Sequence, residues 1–331
     1  MEKVRFSIIM LVYNTKKEFL EYAISSVLNQ TYKNYEFIVI DDGSNNETKE
    51  LLANYENKAS IIHQQNIGMP ASRLVGLKHA TGDYIIFVDS DDYIVPKTLE
   101  IYNDIICKYN SDVVMQDYTK FEGNIENIIK KNSFFKNGIV DKNEVIKQLC
   151  LLHTNGTCGR AVKRELFDDM ENNIDTSFVI GEDVQQSTHV VLKANSFYYV
   201  EDSIYYYRIV NEHRVYNDFT NLNDCNFLSP VYNMIFNNNQ YQEFLSIFKN
   251  SAMNSITYNA FRICLWSSNI KQRNELLDKL NNLQIVKIIQ SINKKASFIS
   301  TTFFSLLTTR NYFVLSIFAK IYDIIYGMQK L

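Results

Sequence analysis

Short apolar runs alternate with amphipathic stretches along the first third of the chain. "FSIIMLV" (6–12) is almost continuously hydrophobic, and a helical spacing follows it, with Phe19, Leu20, Ala23, Ile24, Val27 and Leu28 on one stripe. "YEFIVI" (35–40) is a second run, and "NETKELLANY" (46–55) is a polar helix with a single apolar stripe. "ASIIHQ" (59–64) is a third run, and "PASRLVGLKHA" (70–80) predicts a helix ended by Gly82. "DYIIFV" (83–88) and "DVVMQDY" (112–118) are the fourth and fifth runs. Strands that are apolar on both faces, with helices between them, predict βαβ units and a parallel sheet covered on both sides. Residues 121–150 are polar and Asn-rich, which predicts a surface connection. Beyond residue 215 the pattern is helical to the end. There "SLLTTRNYFVLSIFAKIYDIIYGMQKL" predicts an apolar helix with a narrow polar stripe at 309, 316, 320 and 323.

In sheets of this kind ligands bind at the carboxyl ends of the strands. The first run ends in Tyr13 and Asn14, the second in Asp41, Asp42, Gly43 and Ser44, the fourth in Asp89, Ser90, Asp91 and Asp92. Three strands therefore bring polar groups to one edge. The three acids after "YIIFV" raise a separate question, because crowded carboxylates resist ionising together. A turn is one answer, since Asp and Ser bond to nearby backbone and cap helices. A divalent cation is the other, since it takes hard oxygen ligands. From this stretch alone the turn is favoured, and the rest of the chain has to decide. No GxGxxG or GxxxxGK[ST] follows the first run, so a dinucleotide or P-loop site is not supported.

The 331 residues are 46% hydrophobic, enough for a sizeable core and more than one domain. Five cysteines lie far apart with no CxxC pair, which speaks against a zinc knuckle or dithiol redox site and suits a reducing compartment. The N-terminus has no adequate signal-peptide core, and no stretch has the apolar length of a membrane span. A cytoplasmic location is expected. Net charge is −3, yet residues 271–331 carry nine Lys or Arg against three acids. That tail is expected to meet something anionic, a solvated basic face being the alternative. An acidic body whose aromatics suit a core gives no support to nucleic-acid binding.

Taken in order, "FSIIMLVYNTKKEFLEYAISSVLNQTYKNYEFIVIDDGSNNET" and "NIGMPASRLVGLKHATGDYIIFVDSDDYI" resemble the family 2 glycosyltransferases. The resemblance is close over residues 5–120. It continues more loosely through "GRAVKRELF" (159–167), "GED" (181–183) and "YYYR" (205–208). It implies an α/β GT-A fold, a Rossmann-like mostly parallel sheet with helices on both faces, plus a C-terminal helical extension. The catalytic domain would span 1–215, with a nucleotide-sugar half at 1–120 and an acceptor half at 121–215. The helical region would span 216–331. The resemblance also implies an inverting enzyme that uses a nucleotide-sugar and builds bacterial surface polysaccharide.

Residue by residue, it places Tyr13, Asn14, Asp42 and Arg73 at the nucleotide base and Asp89 at the nucleoside. It places Asp91 on a Mn²⁺ or Mg²⁺ ion, Asp183 as catalytic base with Glu182 as fallback or orienting group, and Arg208 on a loop over the diphosphate. The chain departs from many members at Leu11, where they have Pro, and at "CGRAV" (158–162), where they read Trp-Asn-Lys-Leu-Tyr.

The chemistry matches those residue types. A leaving diphosphate needs its growing charge met, and Mg²⁺ or Mn²⁺ does so while taking only one or two protein carboxylates. Inversion needs one base within reach of the acceptor hydroxyl. Asp183 follows a glycine at the start of a helical pattern, where a first-turn acid also complements the helix dipole. That position is expected to lower its pKa. His213 is a candidate metal ligand or phosphate donor, with a packing role equally open. A UDP-sugar is the favoured donor, because Asp42 can accept from the imide N–H of uracil. The acceptor is expected to be a saccharide or a lipid-linked saccharide. For the tail helix, packing on the catalytic domain, a homodimer interface and in-plane contact with the inner membrane surface all stand open. The reading from another class is a non-catalytic nucleotide-binding scaffold in a glycan-assembly complex. The intact acids Asp89, Asp91 and Asp183 favour an enzyme.

Overall fold

The computed structural model describes residues 3–123, 126–132, 135–152, 156–178, 181–209, 225, 227–237, 239–267, 269–293 and 296–326. The chain divides into two compact units, 1–146 with 154–212, and 147–153 with 213–331. Its elements begin with β1 (Phe6–Val12), α1 (Lys17–Leu28), β2 (Tyr35–Asp41), α2 (Asn46–Ala53), β3 (Ser60–His63), α3 (Met69–His79) and β4 (Tyr84–Asp89). Next come β5 (Tyr93–Ile94), α4 (Thr98–Tyr109), β6 (Val113–Phe121), β7 (Ile128–Asn132), β8 (Gly138–Val140) and α5 (Lys142–Cys150). Then follow β9 (Ala161–Lys163), α6 (Met170–Asn173), α7 (Glu182–Lys193) and β10 (Phe197–Arg208). The C-terminal helices are α8 (Leu228–Phe236), α9 (Leu245–Trp266), α10 (Ile270–Asn281), α11 (Gln284–Ser291), α12 (Phe298–Thr308) and α13 (Tyr312–Tyr326).

Among the described residues one sheet of ten strands runs in the order β3-β2-β1-β4-β9-β6-β10-β5, with β7 on β6 and β8 on β10. The first four strands pair in parallel, as the apolar runs predict, with Ile8 level with both Phe37 and Ile86. β6 and β10 are also parallel. The short strands β5, β7, β8 and β9 run antiparallel. Both faces of β1 are covered. Phe6, Ile8, Met10 and Val12 join Leu20, Ala23, Ile24 and Val27 of α1 in one core cluster. Ile9 meets α3 on the opposite face, where a Cβ on Gly76 would stand 2.6 Å from Ile9 Cγ2. A glycine there lets the helix press onto the strand.

Three expectations change. The segment 121–150 is not a surface connection, because β7, β8 and α5 lie within it. The two strands have three to five residues, too short to show a period in the sequence. Gly82 does not end α3, which already stops at His79 with Ala80 extended. Gly82 instead lies against β1, where a Cβ would meet Ser7 N at 2.7 Å and Arg5 O at 2.8 Å. The tail is not one helix. Arg310 adopts φ 58°, its N–H bonds Leu307 O at 3.0 Å, and Asn311 N–H bonds Leu306 O at 2.8 Å. That is a Schellman ending, usually built on Gly, so an Arg in the left-handed position hid the break.

In the second unit α9 is the central helix and packs against α10, α11, α12 and α13. Phe248, Ala252, Ile256 and Ala260 of α9 are fully buried. No helix among the described residues is long and apolar enough to cross a membrane.

The contacts at Gly82 generate a prediction. Gly82→Ala forces backbone atoms of β1 to move and is expected to destabilise by about 1–3 kcal/mol. Gly156→Ala, with nothing within 4 Å of the added carbon, is expected to stay within about 0.5 kcal/mol. Urea unfolding midpoints of the two variants check this.

Candidate active site at the carboxyl ends of the strands

Side chains lace the ends of β1, β2 and β4 together. Asn14 sits at φ 50°, a conformation that Asn tolerates better than most residues. Its N–H donates to Ser44 Oγ at 3.1 Å, and its Oδ1 accepts from Asn45 N at 2.8 Å. Asn45 in turn caps α2 by accepting from Thr48 N at 2.9 Å. Thr15 and Ser90 bond hydroxyl to hydroxyl at 2.6 Å, which joins β1 to the acidic turn after β4. Tyr13 leaves its ring exposed beside this lacing. A flat exposed aromatic is suited to stack on a planar base.

The paired acids after β2 face inward. Asp41 is fully buried and accepts from Ser44 N at 2.9 Å and pairs with His63 Nδ1 at 2.7 Å. Burial would raise its pKa, but the bonds from Ser44 and His63 bring it below the ordinary value. Asp42, expected at the base edge, is also buried. It accepts from Gln64 Nε2 at 2.8 Å, Ile67 N at 2.9 Å and Gly68 N at 3.0 Å. It thereby shapes the loop into α3. Gly43 permits that loop to approach, since a Cβ there would lie 2.7 Å from Asn66 N.

The three acids after β4 have different fates. Asp92 is fully buried, with Oδ2 accepting from Tyr205 hydroxyl at 2.5 Å and Oδ1 from Arg208 N at 2.8 Å. Burial raises its pKa well above the carboxylate range, and the charges of Asp89 and Asp91 add to that. Burial and these two neighbours thus disfavour a third charge in the turn, and Asp92 is held inward by its bonds to Tyr205 and Arg208. Asp89 and Asp91 stay partly exposed at the edge. Asp89 N–H donates to Tyr205 hydroxyl at 3.3 Å, and Cys158 Sγ donates to Asp89 Oδ1 at 3.2 Å.

Arg208 lies at the end of β10, not on a closing loop. Its Nε donates to Asp91 O at 2.8 Å and its Nη1 to Gly123 O at 2.6 Å. The guanidinium lies 4.5 Å from the ring centres of both Phe19 and Phe121. Burial lowers its pKa against the opposing charges of Asp91 and Asp92. So held, it braces the acidic turn from beneath. The loop was what the family resemblance implied. The strand pairing that overrides it, of β10 with β6, is long-range.

Arg73, expected beside the base, is buried and pairs through Nη1 with Glu182 Oε1 at 3.1 Å. Its pKa is raised: burial opposes this, but the surrounding groups Cys158, Asp89, Glu182 and Asp183 outweigh it. Residues from α3, β4 and α7 thus converge on one guanidinium. Asp183 occupies the first turn of α7 after Gly181 at φ 81°. Its pKa is not lowered as the helix position predicts. Burial and then the charge of Glu182 raise it to about 6, against Arg73 and the Val184 N–H, which lower it. Desolvation beside a like charge outweighs a helix end of half a unit charge.

Cys158 and Arg160 were missed as site residues. Burial pushes the Cys158 thiol up, and burial lowers Arg160 to about 10 while Asp183 opposes the shift. Only the fold brings them to these acids; the sequence marked "CGRAV" (158–162) only as a departure from the family pattern. His213 lies outside the described residues.

The donor set at the edge fits a divalent cation of the Mg²⁺ or Mn²⁺ kind. Asp91 and Asp89 offer hard oxygens, and Asp92 is withdrawn into its bonds with Tyr205 and Arg208. Among the described residues no group of three or more ligating side chains could hold a metal on its own. Such a cation would draw most of its ligands from phosphate and water, which is how Mg²⁺ usually binds.

The first unit thus joins the polar edge of a parallel sheet to buried acids on α7. Residues 7–170 match the family model described as "Glycosyl transferase family 2". The chain belongs to glycosyltransferase family 2 through this domain. Glycosyltransferase GlyA of Streptococcus pneumoniae is 28% identical over 221 residues, which cover 62% of this chain and 30% of that protein. The cholesterol galactosyltransferase of Borreliella burgdorferi is 32% identical over 219 residues, covering 61% of this chain and 60% of that one. The chain thus spans less than two thirds of these relatives' lengths. The crystal structure of S. aureus TarS 1–349 in complex with UDP-GlcNAc is similar with a TM-score of 0.72 at 20% identity, covering 94% of this chain and 90% of that one. The corresponding complex with UDP gives 0.70 at 20% identity, covering 98% and 92%. The fold is GT-A.

The buried pair generates a prediction. Arg73→Met leaves Glu182 buried without a partner and is expected to destabilise by about 3–5 kcal/mol. Adding Glu182→Gln is expected to recover part of that loss. A double-mutant cycle in urea checks it; purely additive costs would refute the coupling.

Proposed function

We propose that this chain is an inverting glycosyltransferase that moves a sugar from a UDP-sugar to a saccharide or lipid-linked saccharide, in the cytoplasm, for bacterial surface polysaccharide. The observation that carries this reading is the convergence of Asp183 and Glu182 with the Asp89 turn around Arg73. A base and a nucleotide edge then meet in one place. The UDP and UDP-GlcNAc complexes of TarS support the choice of donor.

In this reading the exposed Tyr13 ring stacks on the uracil, and Asn14 and the Asp42 loop shape its pocket. Asp89 meets the nucleoside, and Asp91 would hold Mg²⁺ or Mn²⁺. When bound, that ion supplies Lewis-acid stabilisation of the departing diphosphate. Asp183 accepts the proton of the acceptor hydroxyl as its oxygen attacks the anomeric carbon from the side opposite the leaving group. A carboxylate titrating near 6 is a stronger base than an ordinary Asp and remains ionised at neutral pH. Glu182, tied to Arg73, orients α7 and raises the affinity of Asp183 for that proton.

Transfer is expected to rise with pH through about 6, as Asp183 loses its proton. Asp183→Asn is expected to lower kcat by about 10²–10⁴-fold with the fold intact. The sign for stability is opposite. The carboxyl titrates near 3.9 when unfolded and near 6 when folded, so its contribution is full below the first value and lost as pH rises through the second. A pH–rate profile beside pH-dependent unfolding checks both. Isothermal titration with UDP is expected to show binding that strengthens with Mn²⁺ and loses that gain in Asp91→Ala. If UDP fails to bind with any metal, the donor assignment falls.

A further inference from the structure

The last described helix is apolar on both sides. On the inner side of α13, Tyr312, Leu315, Ser316 and Ala319 are buried, and Ser316 donates to Cys264 Sγ of α9 at 3.4 Å. On the outer side Phe313 is 73% exposed, Ile317 45%, Ile321 44% and Phe318 37%. Positions 313, 317 and 321 lie four apart, so they stack along one face over successive turns. Single exposed apolar side chains are ordinary, but a contiguous row of large ones marks a contact surface. The polar stripe expected from sequence does not cover this face, because Ser316 turns inward. Lys320 is exposed, one position from Ile321 and seven from Phe313, which sets its ammonium at the margin of the apolar row.

We propose that this face of α13 lies in the surface of an anionic lipid bilayer. A helix of 15 residues is about 22 Å long, too short to span, so an apolar outer face of this kind lies in the plane of the interface. The charge fits that partner: residues 271–331 carry nine basic and three acidic residues, while the chain as a whole is −3. Each Lys or Arg near an anionic surface adds about 1 kcal/mol of attraction. A second copy fits less well, since a two-fold contact would bring this same basic excess against itself. The use of this face rests on the proposed function, because a lipid-linked acceptor is reached from the bilayer surface. The binding itself does not rest on it.

The test is sedimentation of the full chain with phosphatidylcholine vesicles, with and without phosphatidylglycerol, at low and high salt. Binding is expected on the anionic vesicles and should weaken with salt. Phe313→Ser combined with Ile317→Ser is expected to lower partitioning by about 10- to 100-fold, from lost apolar burial. Its urea midpoint should match the parent's, since both side chains face solvent. Lys320→Glu is expected to weaken binding about 5- to 30-fold. Absence of binding to anionic vesicles at low salt overturns the proposal, as does equal binding by parent and double variant. Light scattering that shows a dimer dissolved by the double substitution also overturns it and gives the face to a second copy. UDP titration separates the two readings: vesicle binding without UDP binding sinks the donor assignment and leaves the membrane face standing.

Discussion

Asp92 accepts the Tyr205 hydroxyl and the Arg208 backbone N–H, and so fastens the turn after β4 to the end of β10. The rest of the edge depends on this bond pair. With Asp92 drawn inward, Asp89 and Asp91 are left outward in one turn. Tyr205 also receives the Asp89 N–H, and Arg208 holds the Asp91 carbonyl, so the turn is held at Asp89, Asp91 and Asp92. A buried carboxylate with two donors is a stiff anchor, because breaking either bond leaves a desolvated polar group.

A second buried anchor serves the other half of the chemistry. Arg73 and Glu182 link α3 to the first turn of α7, and Asp183 sits beside that pair. The arrangement separates two neighbouring acids by role. Glu182 is neutralised by an ion pair, while Asp183 accepts from Val184 N–H and titrates near 6. Two carboxylates with different environments are what acid–base chemistry near neutral pH requires. The same cation limits the shift, since without Arg73 the carboxyl would titrate higher still.

The two units use their aromatic and aliphatic content differently. In the first, apolar residues fill both faces of a sheet, and the polar chemistry gathers at the strand ends and around Arg73 and the first turn of α7. In the second, α9 collects the core and leaves one row of α13 outside it. A row of that kind costs solvation free energy unless something covers it.

Sequence alone determined the parallel βαβ block and the edge where its polar groups gather. Both follow from local periodicity, since a strand buried on two faces must read as a continuous apolar run. It also singled out Asp89 and Asp91 as candidates by their local pattern, and Asp183 through the family resemblance. Only the tertiary structure decided which acids face out. Asp92 differs from Asp89 and Asp91 by its bond to Tyr205, which lies 113 residues away. Local spacing carries no record of such pairings. The raised pKa of Asp183 likewise arises from burial beside Glu182, a property of packing rather than of the helix end. The break at Arg310 leaves no mark in the sequence because an Arg stands in the left-handed position where Gly is usual, and β7 and β8 are too short to show a period.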